Sequence, residues 1–244
     1  MTWQRVRAQI GFETRAVLRN GEQLLLTFLI PLIALVTMLR TAVVPLPEPR
    51  AASAMAGVMA LAVVATCFTS QAIAIAFDRR WGVLRLLGTT PLGPTGLLLG
   101  KLGAVTCVLG AQVVALSVAG LVLGWRPTVA STAILGGVVL VVVGAGTFLA
   151  YALVIAGTMR PEGVLALANV LFVVMALGGG LLVPLEAFPQ PLAAVLRFLP
   201  PGALGEGLRE LAAGGRLDVV ALVVLSAWGV LGGWLATRFF RWDA

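Results

Sequence analysis

The side chains that could do acid–base or metal chemistry are few and far apart in this sequence. The chain has no histidine and only ten carboxylates among its 244 residues. Those carboxylates are isolated from one another along the chain: Glu13, Glu22, Glu48, Asp78, Glu162, Glu186, Glu206, Glu210, Asp218 and Asp243. Acid–base catalysis and metal binding need such groups close together at defined spacing. We therefore expect no catalytic residues, no metal site and no enzyme activity.

One glycine-containing stretch has part of the pattern of a phosphate-binding loop. Gly96 and Gly100 are separated by three residues, and Lys101 is followed by Leu102. A phosphate loop has four residues between its glycines and Ser or Thr after the lysine. The stretch also opens an apolar segment. We expect this chain to bind neither a nucleotide nor any other cofactor.

The composition is that of a protein that lies in a membrane. Hydrophobic residues make up 60% of the chain and charged residues 11%, and the mean hydropathy is +1.05. A soluble domain carries about 25% charged residues. The net charge of +7 comes from basic residues between apolar stretches, where such residues set membrane topology. No nucleic-acid partner is expected.

Six apolar segments are long enough to cross a bilayer, which takes about 20 helical residues. They are 23–44, 52–77, 99–124, 129–158, 163–184 and 217–237. If both termini are cytoplasmic, eleven Lys and Arg residues lie inside and six outside, as the positive-inside rule favours. The prediction is an all-α, multi-pass protein of the cytoplasmic membrane.

The first 22 residues are too polar to span a membrane. Trp3, Val6, Ile10 and Val17 recur at helical spacing opposite a set of arginines. This pattern predicts an amphipathic helix in the lipid interface, where arginines meet anionic headgroups. A solvated basic tail is the alternative. We accordingly divide the chain into an interfacial helix, 1–22, and a six-helix membrane domain, 23–244.

The longest cytoplasmic connection follows the second predicted span. Trp81, Leu84 and Leu87 share one face of a short helix over 78–88, with Asp78 near its start. A carboxylate there favours the helix dipole. Such a helix suits a partner's groove, and contact with lipid alone is the alternative.

A second irregular region covers 185–216. Prolines 184, 189, 191, 200 and 201 exclude one continuous span, although the stretch is rich in Leu, Ala and Phe. We predict short broken helices that dip into the outer leaflet, where non-helical backbone must be covered by protein. An apolar loop over the helix ends is the alternative.

The polar side chains within the spans carry no charge near the middle of the membrane. Coupled transport of protons or sodium commonly needs such a charge. Gln71, Gln112 and Asn169 either line a substrate path or form hydrogen bonds between neighbouring helices.

Two stretches and the overall plan resemble a known family. The stretches are DRRWGVLRLLGTTPLGPTGLLLGK at 78–101 and GGGLLVPLEAFPQPLAAVLRFLPPGALGEGLREL at 178–211. With the six-span plan they resemble the permease subunits of ABC-2 type transporters over essentially the whole chain. The family usually has Glu at the position of Asp78, which keeps the charge.

The resemblance implies a separate ATPase that carries ATP-Mg and contacts the helix at 78–88. Its contact would include Asp78, Arg79, Arg80, Trp81, Leu84 and Arg85. The extracellular re-entrant segment would include Pro184, Glu186, Pro189, Pro200 and Arg209. Two ATPase subunits would work with two permease chains, the second being a copy or a paralogue of this one.

The implied function is that of an exporter permease for an amphipathic or lipid-like substrate, such as a drug, an antibiotic or a glycolipid. Export of haem or of a polysaccharide is an alternative within transport. A membrane scaffold that moves no cargo is the alternative from another class, and the missing histidines and paired carboxylates argue against an embedded enzyme.

Overall fold

The computed structural model describes residues 3–19, 21, 25–83, 93–127 and 131–240, and these contain helices and no strand. A π-helical turn, Leu25–Leu29, precedes α2. The α-helices are α1 Trp3–Arg19, α2 Ile30–Arg40, α3 Arg50–Val63, α4 Gln71–Arg80, α5 Gly93–Val122, α6 Ser131–Thr158, α7 Pro161–Gly178, α8 Gln190–Leu196, α9 Pro200–Gly214 and α10 Val219–Phe239.

The prediction of an all-α, multi-pass membrane protein is confirmed by the described residues. Five helical stretches there are long and apolar enough to cross a membrane, and they are Arg50–Arg80, Leu99–Val122, Ala133–Thr158, Pro161–Gly178 and Val219–Phe239. The first predicted span, 23–44, is described as a shorter apolar helix, Thr27–Arg40. Helix α2 ends at Arg40, four residues before the predicted end of that span at residue 44.

One helix forms the centre of the bundle. α3, the π-helical segment Val64–Ser70 and α4 run without a break from Arg50 to Arg80. In the most apolar 18-residue stretch of this helix, 89% of the residues are buried, whereas the corresponding share in the other four spanning helices is 22–33%. The central helix is rich in alanine, which lets neighbouring backbones approach closely. The outer helices turn valines such as Val118, Val142 and Val173 outward, as a lipid-facing surface requires.

The central helix defines two ends of the molecule. We call them the Arg50 end and the Arg80 end. α1 lies along α5 near the Arg80 end, where Gly100 and Gly103 leave room for Gln9 and Ile10. Val6 and Val17 of α1 are buried in the protein, whereas Trp3 is exposed. Part of the face predicted to meet lipid is thus covered by protein, and the interfacial position of α1 stays a prediction.

The predicted helix boundary at Asp78 is wrong. Asp78 lies in the last turn of α4, and the chain turns at Trp81 and Gly82. Gly82 has a φ of +71°, a backbone conformation that glycine adopts without steric cost. Helix α4 therefore ends at Arg80, three residues beyond the predicted end of the second span at residue 77, and Asp78 lies at the carbonyl end of the helix, where a carboxylate is unfavourable. The predicted contact residues Leu84 and Arg85 lie outside the described residues, as does Leu87.

Short helices occupy the region after α7. A 3₁₀ turn, Leu185–Ala187, is followed by α8 and α9, and prolines stand in the first turn of both helices. Proline is favoured there because the first helical N–H groups have no partner in the helix. Asp218 then caps α10, with its Oδ1 accepting from Val220 N at 2.8 Å and Ala221 N at 3.1 Å. The depth of these helices in a bilayer stays a prediction.

The close packing of the central helix can be tested by substitution of Gly57. A Cβ at this position would lie 2.6 Å from the Leu181 carbonyl oxygen and 2.9 Å from Arg209 Nη2. We expect Gly57→Ala to destabilise the protein by about 1–3 kcal/mol, because backbone cannot move aside cheaply. Thermal unfolding in mild detergent measures this. Gly110→Ala is the matched control, since nothing lies within 4 Å of its added Cβ. Equal unfolding temperatures for the two variants would contradict the packing described.

Candidate functional site

The Arg80 end presents a basic, partly aromatic surface. Arg80 forms an ion pair with Glu162, and Arg79 Nη2 donates to the carbonyl oxygen of Met159. Trp81 contacts Phe77 with ring centroids 5.4 Å apart, yet its side chain remains 69% exposed. We define the Arg80 surface as Arg79, Arg80, Trp81, Arg160 and Glu162.

The Arg80 surface joins two parts of the chain that the sequence does not show to be neighbours. A recess of about 360 Å³ is lined by Arg79, Arg80, Arg160, Pro161 and Glu162. The sequence predicted Arg79 and Arg80 as contact residues but missed Arg160 and Glu162, which lie about 80 positions away. The sequence gives little indication of these two residues, because charged residues are common in loops between membrane spans. The two helix ends together form a surface with three guanidinium groups and one carboxylate.

A buried ionic cluster lies behind this surface. Lys101 Nζ lies 2.7 Å from Asp78 Oδ2 and 3.2 Å from Glu13. Lys101 is only 4% exposed. A buried ammonium group is costly unless carboxylates neutralise it, and these two do so. The cluster joins α1, α4 and α5. The Lys101 ammonium group also offsets the unfavourable interaction between the Asp78 carboxylate and the carbonyl end of α4.

The sequence did not reveal this cluster, because its members are distant along the chain. The available signal was the identity of Lys101, the single lysine among 17 basic residues, at the start of an apolar helix. A charge in that position needs a buried partner. The sequence alone could not say which carboxylate that partner is.

A second buried cation lies toward the Arg50 end. Arg209, which is 4% exposed, donates from Nη1 to the Gly180 carbonyl at 2.7 Å and to Glu206 Oε1 at 2.8 Å. Its Nη2 donates to the Leu181 carbonyl. Glu206 Oε1 also accepts from Leu185 N at 3.0 Å. Arg209 thus supplies donors to carbonyls just past the end of α7, which have no helical partner.

The electrostatics of Arg209 follow from this burial. Desolvation lowers the pKa of the Arg209 guanidinium. The carboxylates of Glu206 and Glu186 act in the opposite direction and raise this pKa. Guanidinium groups nevertheless stay protonated in proteins. The positive charge is therefore permanent and fixes the turn between α7 and α9.

The other residues predicted for the re-entrant segment have distinct positions. Pro184 is buried and precedes the 3₁₀ turn, whereas Glu186 within that turn is exposed. Pro189 precedes α8 and Pro200 begins α9. Of these residues, Glu186 is the one whose charge lies near Arg209.

The three amides predicted for a substrate path have different environments. Gln112 is fully buried, accepts from Thr66 Oγ1 at 2.6 Å and donates to the Thr27 carbonyl. Gln112 therefore joins neighbouring helices, which is the alternative that the sequence left open. Asn169 donates to the Leu165 carbonyl in its own helix at 3.0 Å. Gln71 is buried on the central helix, and its place on a path stays a prediction.

Comparison with known proteins identifies the family. The family model described as ABC-2 family transporter protein matches residues 29–238. The chain belongs to this family. A stretch of 88 residues is also 33% identical to the protein named "Putative transport permease YvfS" of Bacillus subtilis (strain 168), and the match covers 36% of each chain. The predicted resemblance to ABC-2 permeases is confirmed.

Membership in the ABC-2 family gives the site its context. Members are membrane transport components without catalytic activity of their own, and they normally work with an ABC ATPase. The matched residues include Asp78, Lys101 and Arg209 but exclude α1 and its Glu13. One of the three residues in the buried cluster, Glu13, therefore lies outside the region that the family model matches. In the described part of this permease, no group of His, Cys, Asp and Glu side chains is arranged to hold a metal ion.

The stability of the permease should depend on Lys101. We expect Lys101→Gln to destabilise it by about 3 kcal/mol, because two carboxylates would face each other without a cation. Adding Asp78→Asn to that variant should recover part of the loss. Thermal unfolding in mild detergent measures both effects. Arg126→Gln, at an exposed residue near the other end, removes the same charge as a control. A Lys101→Gln variant as stable as this control would contradict the role of the cluster.

Proposed function

We propose that this permease is the membrane subunit of an ATP-driven exporter in the cytoplasmic membrane. Two permease chains, identical or paralogous, would work with two copies of a separate ABC ATPase that carries ATP-Mg. The Arg80 end and both termini would face the cytosol. The cargo would be amphipathic or lipid-like, as the outward-turned apolar faces of the spans favour.

The charge distribution supports this orientation. Basic residues at the Arg80 end of the described chain are Arg5, Arg7, Arg15, Arg19, Arg79, Arg80, Lys101, Arg160 and Arg238. Those at the Arg50 end are Arg40, Arg50, Arg126, Arg197, Arg209 and Arg216. Cytoplasmic ends of membrane helices carry the excess of Lys and Arg. The distribution of basic residues therefore favours a cytoplasmic position for the Arg80 end.

The observation that carries the proposal is the Arg80 surface itself. Its exposed Trp81 and its three arginines stand at the end of the buried central helix. Tryptophan and arginine are the side chains most often dominant in protein interfaces. A partner bound here would act directly on the helix that contacts most of the bundle.

The cluster at Lys101 offers a route from that partner to the rest of the permease. ATP binding can bias a conformational equilibrium only through contacts that differ between the two states. Asp78 lies two residues from Arg80, and its ion pair with Lys101 joins α4 to α5. We propose that a shift of α4 moves α5 and α1 with it.

The region after α7 supports the proposed re-entrant segment. Arg209 lies beside Gly57, seven residues along the central helix from Arg50. At 1.5 Å per residue this is a depth of about 10 Å. Backbone at such depth needs partners from the protein, and Arg209 supplies them. We include Thr27–Arg40 as the sixth span of a single domain over 23–244, with 1–22 as the interfacial helix.

The contact with the ATPase can be tested by purification from native membranes. Tagged permease is extracted in mild detergent, and co-purifying proteins are identified by mass spectrometry. We expect an ABC ATPase with the wild-type chain and about tenfold less of it with Arg79→Glu/Arg80→Glu, since charge reversal opposes docking. A second permease in the eluate would show a heteromeric pair.

The matched control is Arg126→Glu/Arg216→Glu, which changes the same charge at exposed residues of the opposite end. It should retain the ATPase. Loss of the ATPase from both variants would contradict docking at the Arg80 surface. An ATPase whose turnover no candidate amphiphile stimulates would favour the scaffold function instead of transport.

A further inference from the structure

A large acidic cavity opens at the Arg50 end. It has a volume of about 820 Å³ and lies between the loop before α3 and the helices that follow α7. Five of the ten carboxylates in the sequence line it, and they are Glu48, Glu186, Glu206, Glu210 and Asp218. Two guanidinium groups, those of Arg197 and Arg209, also line it. The cavity therefore has an excess of three negative charges in a chain whose net charge is +7.

The two cations are already paired, so they do not neutralise the rest. Arg209 pairs with Glu206 at 2.8 Å, and Arg197 lies 3.6 Å from Asp218. Within the described part of the chain, Glu48, Glu186 and Glu210 form no ion pair. Glu186 and Glu210 are exposed on the cavity wall. These three carboxylates thus line the cavity without an ion-paired cation, although the charge of Glu186 also acts on Arg209 at longer range.

A buried hydroxyl gives an independent sign of a ligand. Ser53, which is only 5% exposed, lines the same cavity. Its Oγ has no hydrogen-bond partner among the described residues. Buried polar atoms are nearly always paired. An unpaired hydroxyl in the wall of a cavity is a place for a ligand donor.

Apart from Gln190, the rest of the cavity wall is apolar, and this favours an organic ligand. Pro47, Pro49, Leu185 and Phe188 line the cavity beside the carboxylates. A volume of this size suits a small organic molecule, since ligand sites typically enclose about 300–1,000 Å³. A metal ion would need carboxylates in a tight group, and no such group exists in the described residues. An organic cation can use both the carboxylates and an aromatic face such as that of Phe188.

We propose that this cavity is a binding site for amphipathic organic cations. The ammonium or other cationic group lies among Glu48, Glu186 and Glu210, and its apolar body lies against the proline, leucine and phenylalanine side chains. An ammonium N–H donates to Ser53 Oγ. That such a cation is cargo leaving the membrane rests on the export function proposed above, whereas the site itself does not.

Binding can be measured with the purified permease in lipid nanodiscs and without any ATPase. Radiolabelled tetraphenylphosphonium and tetraphenylborate are the probes, because they share shape and size and differ in charge. Empty nanodiscs correct for partitioning into lipid. We expect saturable binding of the phosphonium and none of the borate. Equal binding of the two ions would overturn the proposal, as would the absence of saturable binding.

Variants then place the site. Glu186→Gln/Glu210→Gln should weaken phosphonium binding about tenfold, because each lost carboxylate is worth a few-fold near the surface. Because both residues are exposed, we expect the unfolding temperature of this variant to equal that of the wild type, which would show that the variant folds normally. Glu186→Asp/Glu210→Asp keeps both negative charges at the same positions and should keep most of the binding. An equal loss in both pairs would overturn the role of these carboxylates.

Ser53 is tested by competition. Octylamine, which is protonated at pH 7, should displace the phosphonium, whereas octanol should not. Ser53→Ala should weaken the competition by octylamine about five-fold while leaving phosphonium binding unchanged, because only the amine donates a hydrogen bond. An equal effect of Ser53→Ala on both cations would contradict the hydroxyl's role. Failure of these binding tests would leave the ATPase contact standing, and loss of that contact would leave the cation site standing.

Discussion

Polar groups inside a bilayer have no water to bond, so each charge and each interrupted helix in this bundle needs a partner within the protein. Arg209 meets this requirement at one end, where it donates to the carbonyls that follow α7. Lys101 meets it at the other end, where Asp78 and Glu13 neutralise it. These two buried cations link α1 and α4 to α5, and α9 to the residues that follow α7.

The central helix connects the two ends. Its small residues allow neighbours to pack closely on every side, and Gly57 lets Arg209 and the Leu181 carbonyl approach the helix backbone. The π-helical segment Val64–Ser70 lies midway along it. Such segments interrupt regular helical hydrogen bonding and often occur at functional sites. The central helix is thus a continuous element that connects Arg80 to the cavity near Arg50.

The sequence predicted what depends on local patterns. Hydropathy located five helices long enough to span a membrane, and the prolines around 184–201 located the short helices, because both signals act within about 20 residues. The contacts of Lys101 and Arg209 could not be predicted. Glu13 and Lys101 are 88 positions apart, and the acceptors of Arg209 are backbone carbonyls, which no side-chain pattern reveals. Asp78 was misplaced because Gly82, Gly88 and Pro91 are all plausible helix breakers in the sequence, and the left-handed conformation at Gly82 is visible only in the structure.

Coupling between the two ends is tested by a distance across the Arg50 end, measured while nucleotide binds to the ATPase at the opposite end. Spin labels at Val43 and Leu192, both exposed, report that distance by pulsed electron paramagnetic resonance in nanodiscs that also contain the co-purified ATPase. We expect the distance distribution to shift when a non-hydrolysable ATP analogue is added, and to stay unchanged when Arg79→Glu/Arg80→Glu removes the ATPase. Identical distributions with and without nucleotide, while the ATPase is bound, would contradict transmission through the central helix.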